Sequence, residues 1–241
     1  MKRVIVTGDS GGLGHKIVTN LLNHEEYSVI GVSRQETATI MDLRQEYKER
    51  YQHIAFDLSR PERIKDLFSN RIKDIGPIYG LVNNAAYAYD DIVTNARIES
   101  LERMYNINVF SPILLTKYVI RNMLLYGTKG AIVHISSVSA HTGYKGLSMY
   151  ASTKGALEAF SIGVAREWGG YGIRSNCVAP GFMETPMSES LTPEQKRRIY
   201  KRTSLKEETS ADSVAKTVAF LLSENASSIT GTVIRVDNGT I

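Results

Sequence analysis

Ser137, Tyr150 and Lys154 are the residues whose types and spacing can do chemistry. Tyr150 and Lys154 are four apart at the entry to a helix-forming run, Gly155-Ala156-Leu157-Glu158-Ala159-Phe160, so they share one helix face. A phenol titrates near roughly pH 10 and is a poor proton donor or acceptor at neutral pH. A buried ammonium beside it favours the phenolate, and a drop of about 3 units takes roughly 4 kcal/mol of differential interaction. A phenol tuned in this way is a usable general acid. Ser137 follows the β-branched run Ala131-Ile132-Val133-His134-Ile135, which reads as a buried strand, and can aim its hydroxyl at the same reacting oxygen. Tyr-x-x-x-Lys is common by chance, so its weight comes from the elements around it.

Short apolar runs recur between helical patterns at Val4-Val6, Ser28-Val32, Ile54-Phe56, Gly80-Val82, Ala131-Ile135, Arg174-Val178 and Thr232-Val236. This alternation predicts one α/β domain over residues 1–241, a doubly wound, seven-stranded parallel sheet with helices on both faces. Ligands of such sheets bind beyond the carboxyl ends of the strands, where the polar residues of this chain cluster.

The first strand ends in Thr7-Gly8-Asp9-Ser10-Gly11-Gly12-Leu13-Gly14, followed by the helical run His15–Leu22. Glycines at 8, 12 and 14 let the backbone approach a pyrophosphate seated on the helix N-terminus. An acidic residue closing the second strand would grip the ribose of NAD. Here that strand closes on Ser33 and Arg34, which suit a 2′-phosphate, so NADP(H) is expected ahead of NAD(H). Asp57 suits either an adenine amino group or the cap of a helix beginning near Pro61. Asn83, Asn84, Ala85 and Ala86 are small or amide-bearing residues suited to line a cofactor. Asn108 sits inside a helical pattern, where asparagine is unfavourable unless its side chain is used. Pro180, Gly181 and Thr185 follow the sixth strand and can hold a carboxamide, and the polar segment at about 187–208 reads as a lid.

Hydrophobic residues make up 42% of the chain and charged residues 22%, an ordinary soluble balance, and the formal net charge is +4. No Lys/Arg cluster with interleaved aromatics suggests a nucleic-acid groove, and no apolar run approaches the ~20 residues of a membrane helix. Cys177 is the only cysteine, which excludes an internal disulfide and favours a cytoplasmic setting. His15, His24, His53, His134 and His141 lack metal-ligand spacing with Cys177 or with each other, so no metal is expected.

Along essentially its whole length the chain resembles the classical short-chain dehydrogenase/reductase family. The resemblance rests on Thr7-Gly8 through Gly14, Asp57, Asn83-Asn84-Ala85, Asn108, Ser137, Tyr150 with Lys154, and Pro180-Gly181 with Thr185. Within the family it is most similar to the 3-oxoacyl-[acyl-carrier-protein] reductases, particularly over Val178–Phe182 and Ile229–Thr232. It implies a Rossmann fold and catalytic roles for Asn108, Ser137, Tyr150 and Lys154. It further implies cofactor contacts from Gly8, Ser10, Gly12, Leu13, Gly14, Ser33, Arg34, Asp57, Leu58, Asn84, Ala85, Ala86, Tyr150, Lys154, Pro180, Gly181, Met183 and Thr185. Asn108 would hold a water that links Lys154 to solvent. The implied activity is NADPH-dependent reduction of a carbonyl, with a 3-oxoacyl thioester on acyl carrier protein as substrate. A sugar, steroid or other small ketone is the alternative, and a non-catalytic NADP(H)-sensing protein a remote one. A homotetramer or homodimer is implied as well. Gly11 stands where those reductases carry a basic residue, which leaves Arg34 to grip a 2′-phosphate largely alone. Asp9 replaces a small residue and adds negative charge beside the turn. Arg121 matches one of two carrier-docking arginines, and Tyr171 occupies the position of the other.

Overall fold

The computed structural model describes residues 1–184 and 192–240. Seven strands, β1 (Lys2–Thr7), β2 (Tyr27–Ser33), β3 (Tyr51–Ala55), β4 (Gly80–Asn83), β5 (Ala131–Ile135), β6 (Arg174–Pro180) and β7 (Val233–Val236), form one sheet in the order β3-β2-β1-β4-β5-β6-β7. Every pairing is parallel. All residues of β2 and β5 are buried, as expected where helices cover both faces of a sheet.

Alternation along each strand divides the core in two. Val4 and Val6 of β1 pack with α1 (Gly12–Leu22), α2 (Ala38–Tyr47) and α8 (Ala211–Leu222) on one face. Ile5 packs on the other face with α3 (Ile64–Leu67), α5 (Ser111–Tyr126) and α6 (Ser148–Trp168). Helices α4 (Ile98–Tyr105) and α7 (Pro193–Tyr200) lie at the carboxyl-end rim. Leu115 and Leu157 are buried, and Leu114 and Phe160 pack against the core cluster on the Ile5 face, so these apolar runs serve the chain's own core. Among the described residues no helix is long and apolar enough to cross a membrane.

Element ends depart from the expected ones for local reasons. Strand β3 starts at Tyr51 rather than Ile54, because Tyr51 pairs with Val29 and is buried. Phe56 leaves the strand, although its amide still donates to the Ser33 carbonyl at 2.8 Å. Helix α1 begins at Gly12 rather than His15, inside the glycine-rich turn. Between α4 and α5 the chain makes a π-turn over Asn106–Phe110, which sets Asn108 apart from a regular helix.

Asp9 corrects one expectation. Its charge is not presented to a ligand: the side chain is fully buried beneath the turn, accepting hydrogen bonds from the Tyr51 hydroxyl (2.6 Å) and His53 Nδ1 (2.8 Å). The space it occupies exists because β2 carries Gly31, where an added Cβ would land on the Asp9 carboxylate. Burial, reinforced by that carboxylate, pushes the Tyr51 hydroxyl well above the usual tyrosine range and keeps it a donor. Gly31→Ala is therefore expected to cost ~3 kcal/mol in denaturant unfolding. In an Asp9→Ala background the same change should cost at least ~1 kcal/mol less. Additive losses around this cycle would show that the carboxylate is not what fills the space.

Candidate active site

Strand order reverses between β1 and β4, and their carboxyl ends part to open a cleft of about 1080 Å³. Thr7 pins the two sides together. Its hydroxyl oxygen accepts from the amides of Asn84 (2.9 Å) and Ala85 (3.0 Å), and its proton goes to the Val82 carbonyl (3.3 Å). The Asn84 side-chain amide donates back to the Thr7 carbonyl at 2.8 Å. Gly14 packs directly on the Gly8 carbonyl, where any Cβ would overlap it. The first turn of α1 has no side-chain cap and no acidic residue, so its free N–H groups and positive dipole end suit a pyrophosphate.

Of the residues implied as cofactor contacts, Gly8, Ser10, Gly12, Leu13 and Gly14 line the glycine-rich end of the cleft. Ser33, Arg34, Asp57 and Leu58 line its outer side, with the buried Ser33 hydroxyl lacking a partner among the described residues. Asn84, Ala85, Ala86, Pro180, Gly181 and Met183 line the opposite wall. Thr185 and residues 187–191 of the expected lid lie outside the described residues. From the remainder of that segment, Ile199 on α7 and Arg202 reach the cleft. Helix α7 is held at its start by a reciprocal Thr192–Gln195 cap and at its end by the Tyr200 hydroxyl, which donates to Glu184 at 2.6 Å.

Two expectations are corrected here. Asp57 does not cap a helix near Pro61: its Oδ1 accepts the Ser59 amide at 3.0 Å in a tight turn, and Arg60 precedes the 3₁₀ turn Pro61–Arg63. Burial opposes ionisation of Asp57, but the Ser59 hydrogen bonds and the Arg34 and Arg60 charges hold its carboxyl below the usual range. Asn83 does not line the cleft either. It points into the core, where its amide donates to the Thr116 hydroxyl (3.3 Å) and lies 3.1 Å from His134 Nδ1. Burial, helped by the Lys154 charge, drives His134 down to about 3, so that ring is neutral.

At the far end Ser137, Tyr150 and Lys154 line the same cleft. Helix α6 begins at Ser148 and so carries both Tyr150 and Lys154 one turn apart. Ser137 stands two residues past the end of β5, its Oγ accepting the Ser139 amide at 3.2 Å. The loop is tied down by Glu158 on α6, which accepts from the Ser136 hydroxyl and lies 3.0 Å from His141 Nε2. Lys154 is 2% exposed, and its Nζ donates to the Ile135 carbonyl at 2.8 Å, 5.5 Å from the Tyr150 ring centroid. One of its three protons is thus engaged, and the amine faces a cleft in which the other two are available. Burial drags this ammonium down to about 8.

The tuning expected of Tyr150 runs the other way. Burial, reinforced by the Asp90 carboxylate across the cleft, pushes the phenol above its ordinary value. The side chain is therefore a protonated donor. Desolvation in turn raises the Asp90 carboxyl. Asn108 is fully buried and does not line the cleft. Its Oδ1 accepts the Tyr87 amide (2.8 Å), and its two amide protons go to the Tyr87 carbonyl (2.9 Å) and the Thr153 hydroxyl (3.0 Å). Its side chain is a clamp between the loop after β4 and α6. Asp90 belongs to no motif, and the glycine-rich motif that starts at Thr7 assigns no role to the Thr7 hydroxyl. Only the adjacency of β1 and β4 gives Thr7 its role, and only the facing walls of the cleft bring Asp90 to Tyr150.

Comparison with known proteins agrees with this geometry. Residues 8–240 match a family model described as "Enoyl-(Acyl carrier protein) reductase". The chain belongs to the short-chain dehydrogenase/reductase family. It is similar to L-xylulose reductase of Caenorhabditis elegans, with 34% identity over 99% of this chain and 95% of that one. It is also similar to 3-oxoacyl-[acyl-carrier-protein] reductase of Buchnera aphidicola subsp. Baizongia pistaciae, with 31% identity over 99% and 96%. The solved structure of ElxO with NADP bound superposes with a TM-score of 0.89 at 28% identity, over 99% of this chain and 98% of that one. This short-chain dehydrogenase/reductase is an NAD(P)-dependent oxidoreductase, and the uncapped helix end, the close glycine packing and the available Lys154 protons fit such a dinucleotide.

The buried amine sets a pH dependence. Because Lys154 titrates near 8 when folded and near 10.5 when unfolded, the unfolded chain binds more protons between those values, and stability gains as pH rises through that window. Wild type should gain ~3 kcal/mol on Lys154→Met between pH 7.5 and 10.5. Urea unfolding of both proteins at the two pH values measures this, and a pH-independent difference would refute it.

Proposed function

We propose that this chain reduces a carbonyl to a hydroxyl using NADPH, and that its substrate is a 3-oxoacyl thioester carried on acyl carrier protein. The observation that carries the reading is the convergence of Ser137, protonated Tyr150 and Lys154 at one end of a cleft whose other end suits a dinucleotide. When bound, the cofactor supplies a hydride to the carbonyl carbon. The Tyr150 hydroxyl gives its proton to the carbonyl oxygen, which takes up the π-electron pair, and the Ser137 hydroxyl donates a hydrogen bond to the same oxygen. Lys154 holds ribose hydroxyls with the protons that Ile135 leaves available. Asn108 is a positioning residue, fixing Tyr87 and Thr153 and through them the start of α6. Ile199 of α7 and Arg202 border the substrate end.

The NADP(H) preference is supported by Ser33 and Arg34 at the end of β2, and by NADP in the structure of ElxO. The thioester substrate is supported by similarity to 3-oxoacyl-[acyl-carrier-protein] reductase and by Arg121. A second reading, reduction of a sugar or other small ketone, is favoured by the greater identity to L-xylulose reductase and by Tyr171, 61% exposed where a docking arginine is expected. We also read the chain as a homotetramer or homodimer, consistent with the exposed Phe110 and Ile162 beside the site helices.

Tyr150→Phe is expected to lower kcat by about 100-fold or more while leaving NADPH affinity within about threefold. Full turnover in this variant would remove Tyr150 from the mechanism. NADPH consumption with acetoacetyl thioester against a panel of ketoses and small ketones decides the substrate. Faster turnover of the ketoses would replace the thioester reading with the second one.

A further inference from the structure

Outside the ribose end of the cleft lies a second hollow of about 230 Å³, lined by Arg34, Ala55, Phe56, Asp57, Arg60 and Arg63. Arg34, Phe56 and Asp57 line the main cleft as well, so the hollow continues it. Two features of the backbone bring its residues together. Strands β2 and β3 pair in parallel with Ser33 opposite Ala55, which sets Arg34 beside Phe56 just past their ends. The chain then turns at Asp57–Ser59, and Arg60 immediately before the 3₁₀ turn and Arg63 at its end both line the hollow.

Among the described residues no hydrogen bond or ion pair engages the guanidinium of Arg34, Arg60 or Arg63. The one carboxylate in the hollow, Asp57, already accepts the Ser59 amide. Three positive charges therefore face one negative charge in a concavity, an excess that matches a phosphate monoester of charge about −2. Guanidinium forks pair with such a group in bidentate geometry.

We propose that Arg60 and Arg63 join Arg34 in a three-arginine site for the 2′-phosphate of NADP(H), and that they, not Arg34 alone, set the preference over NAD(H). This rests on the cofactor reading above. It also accounts for Gly11: the positive charge absent from the glycine-rich turn is supplied from the turn after β3.

The test is calorimetric binding of NADP⁺, NAD⁺, 2′,5′-ADP and inorganic phosphate to wild type, Arg60→Ala, Arg63→Ala, the double variant and Lys65→Ala as a nearby charge control. These side chains are exposed and make no internal contact that folding needs. Each single arginine variant should weaken NADP⁺ and 2′,5′-ADP about three- to tenfold and the double variant about 30-fold or more. NAD⁺ binding should stay within about twofold, and Lys65→Ala should leave both cofactors unchanged. Wild type that binds both dinucleotides equally would overturn the NADP(H) reading itself. Wild type that prefers NADP⁺, with a double variant that keeps the same preference, would overturn only the three-arginine site. Equal losses of NADP⁺ and NAD⁺ would overturn it too, by showing a general field. Loss of inorganic phosphate binding alone would assign the hollow to a free anion and overturn it likewise.

Discussion

Lys154 is an amine with no carboxylate partner among the described residues, held by the Ile135 carbonyl at the end of β5. Everything around the site is arranged to keep that group where water would otherwise draw it out. Strand β5 is buried throughout, so its terminal carbonyl is a fixed acceptor. His134, one residue back, stays neutral and adds no opposing charge. Helix α6 carries the amine in its second turn, and its start is clamped to the loop after β4 by Asn108 and Thr153. An isolated buried cation is a destabilising feature that a fold tolerates where it is used. The cavity side of the amine is where that use lies.

The dinucleotide end depends on a different kind of constraint. Thr7 and Asn84 join two strands that are neighbours in the sheet but 77 positions apart in sequence. Once they are joined, the glycine-rich turn and the loop after β4 become two walls of one groove. The chemical end is built from two positions of α6 and the loop after β5, whereas the substrate end is drawn from Tyr87, Ala88, Asp90, Asp91 and Ile92 in the loop after β4, with Ile199 of α7 and Arg202 opposite. Relatives with sugar and acyl-carrier names match this chain over nearly its whole length, as expected if specificity resides in those segments.

Periodicity and motif spacing are local properties, and what depended on them was legible. The seven strands, the parallel sheet and the placement of Tyr150 and Lys154 on one helix follow from runs of a few residues. What escaped was direction and environment. Asn83 and Asn84 are adjacent and chemically identical, yet one faces the core and the other the cleft, because successive residues of a strand point to opposite faces. The protonation of Tyr150 depends on burial and on Asp90 across the cleft, neither of which a four-residue spacing encodes. Arg60 and Arg63 belong to no motif, and their place beside Arg34 follows from the pairing of β2 with β3.

The carboxylate under the glycine-rich turn ties three distant stretches of chain into one inherited unit. Asp9 needs the bare backbone of Gly31 for room and the polar atoms of Tyr51 and His53 for company. A lineage that loses any one of the four inherits either a clash or stranded polar atoms. Positions 31 and 9 are therefore sterically coupled: a Cβ at 31 has room only where the acid at 9 is absent.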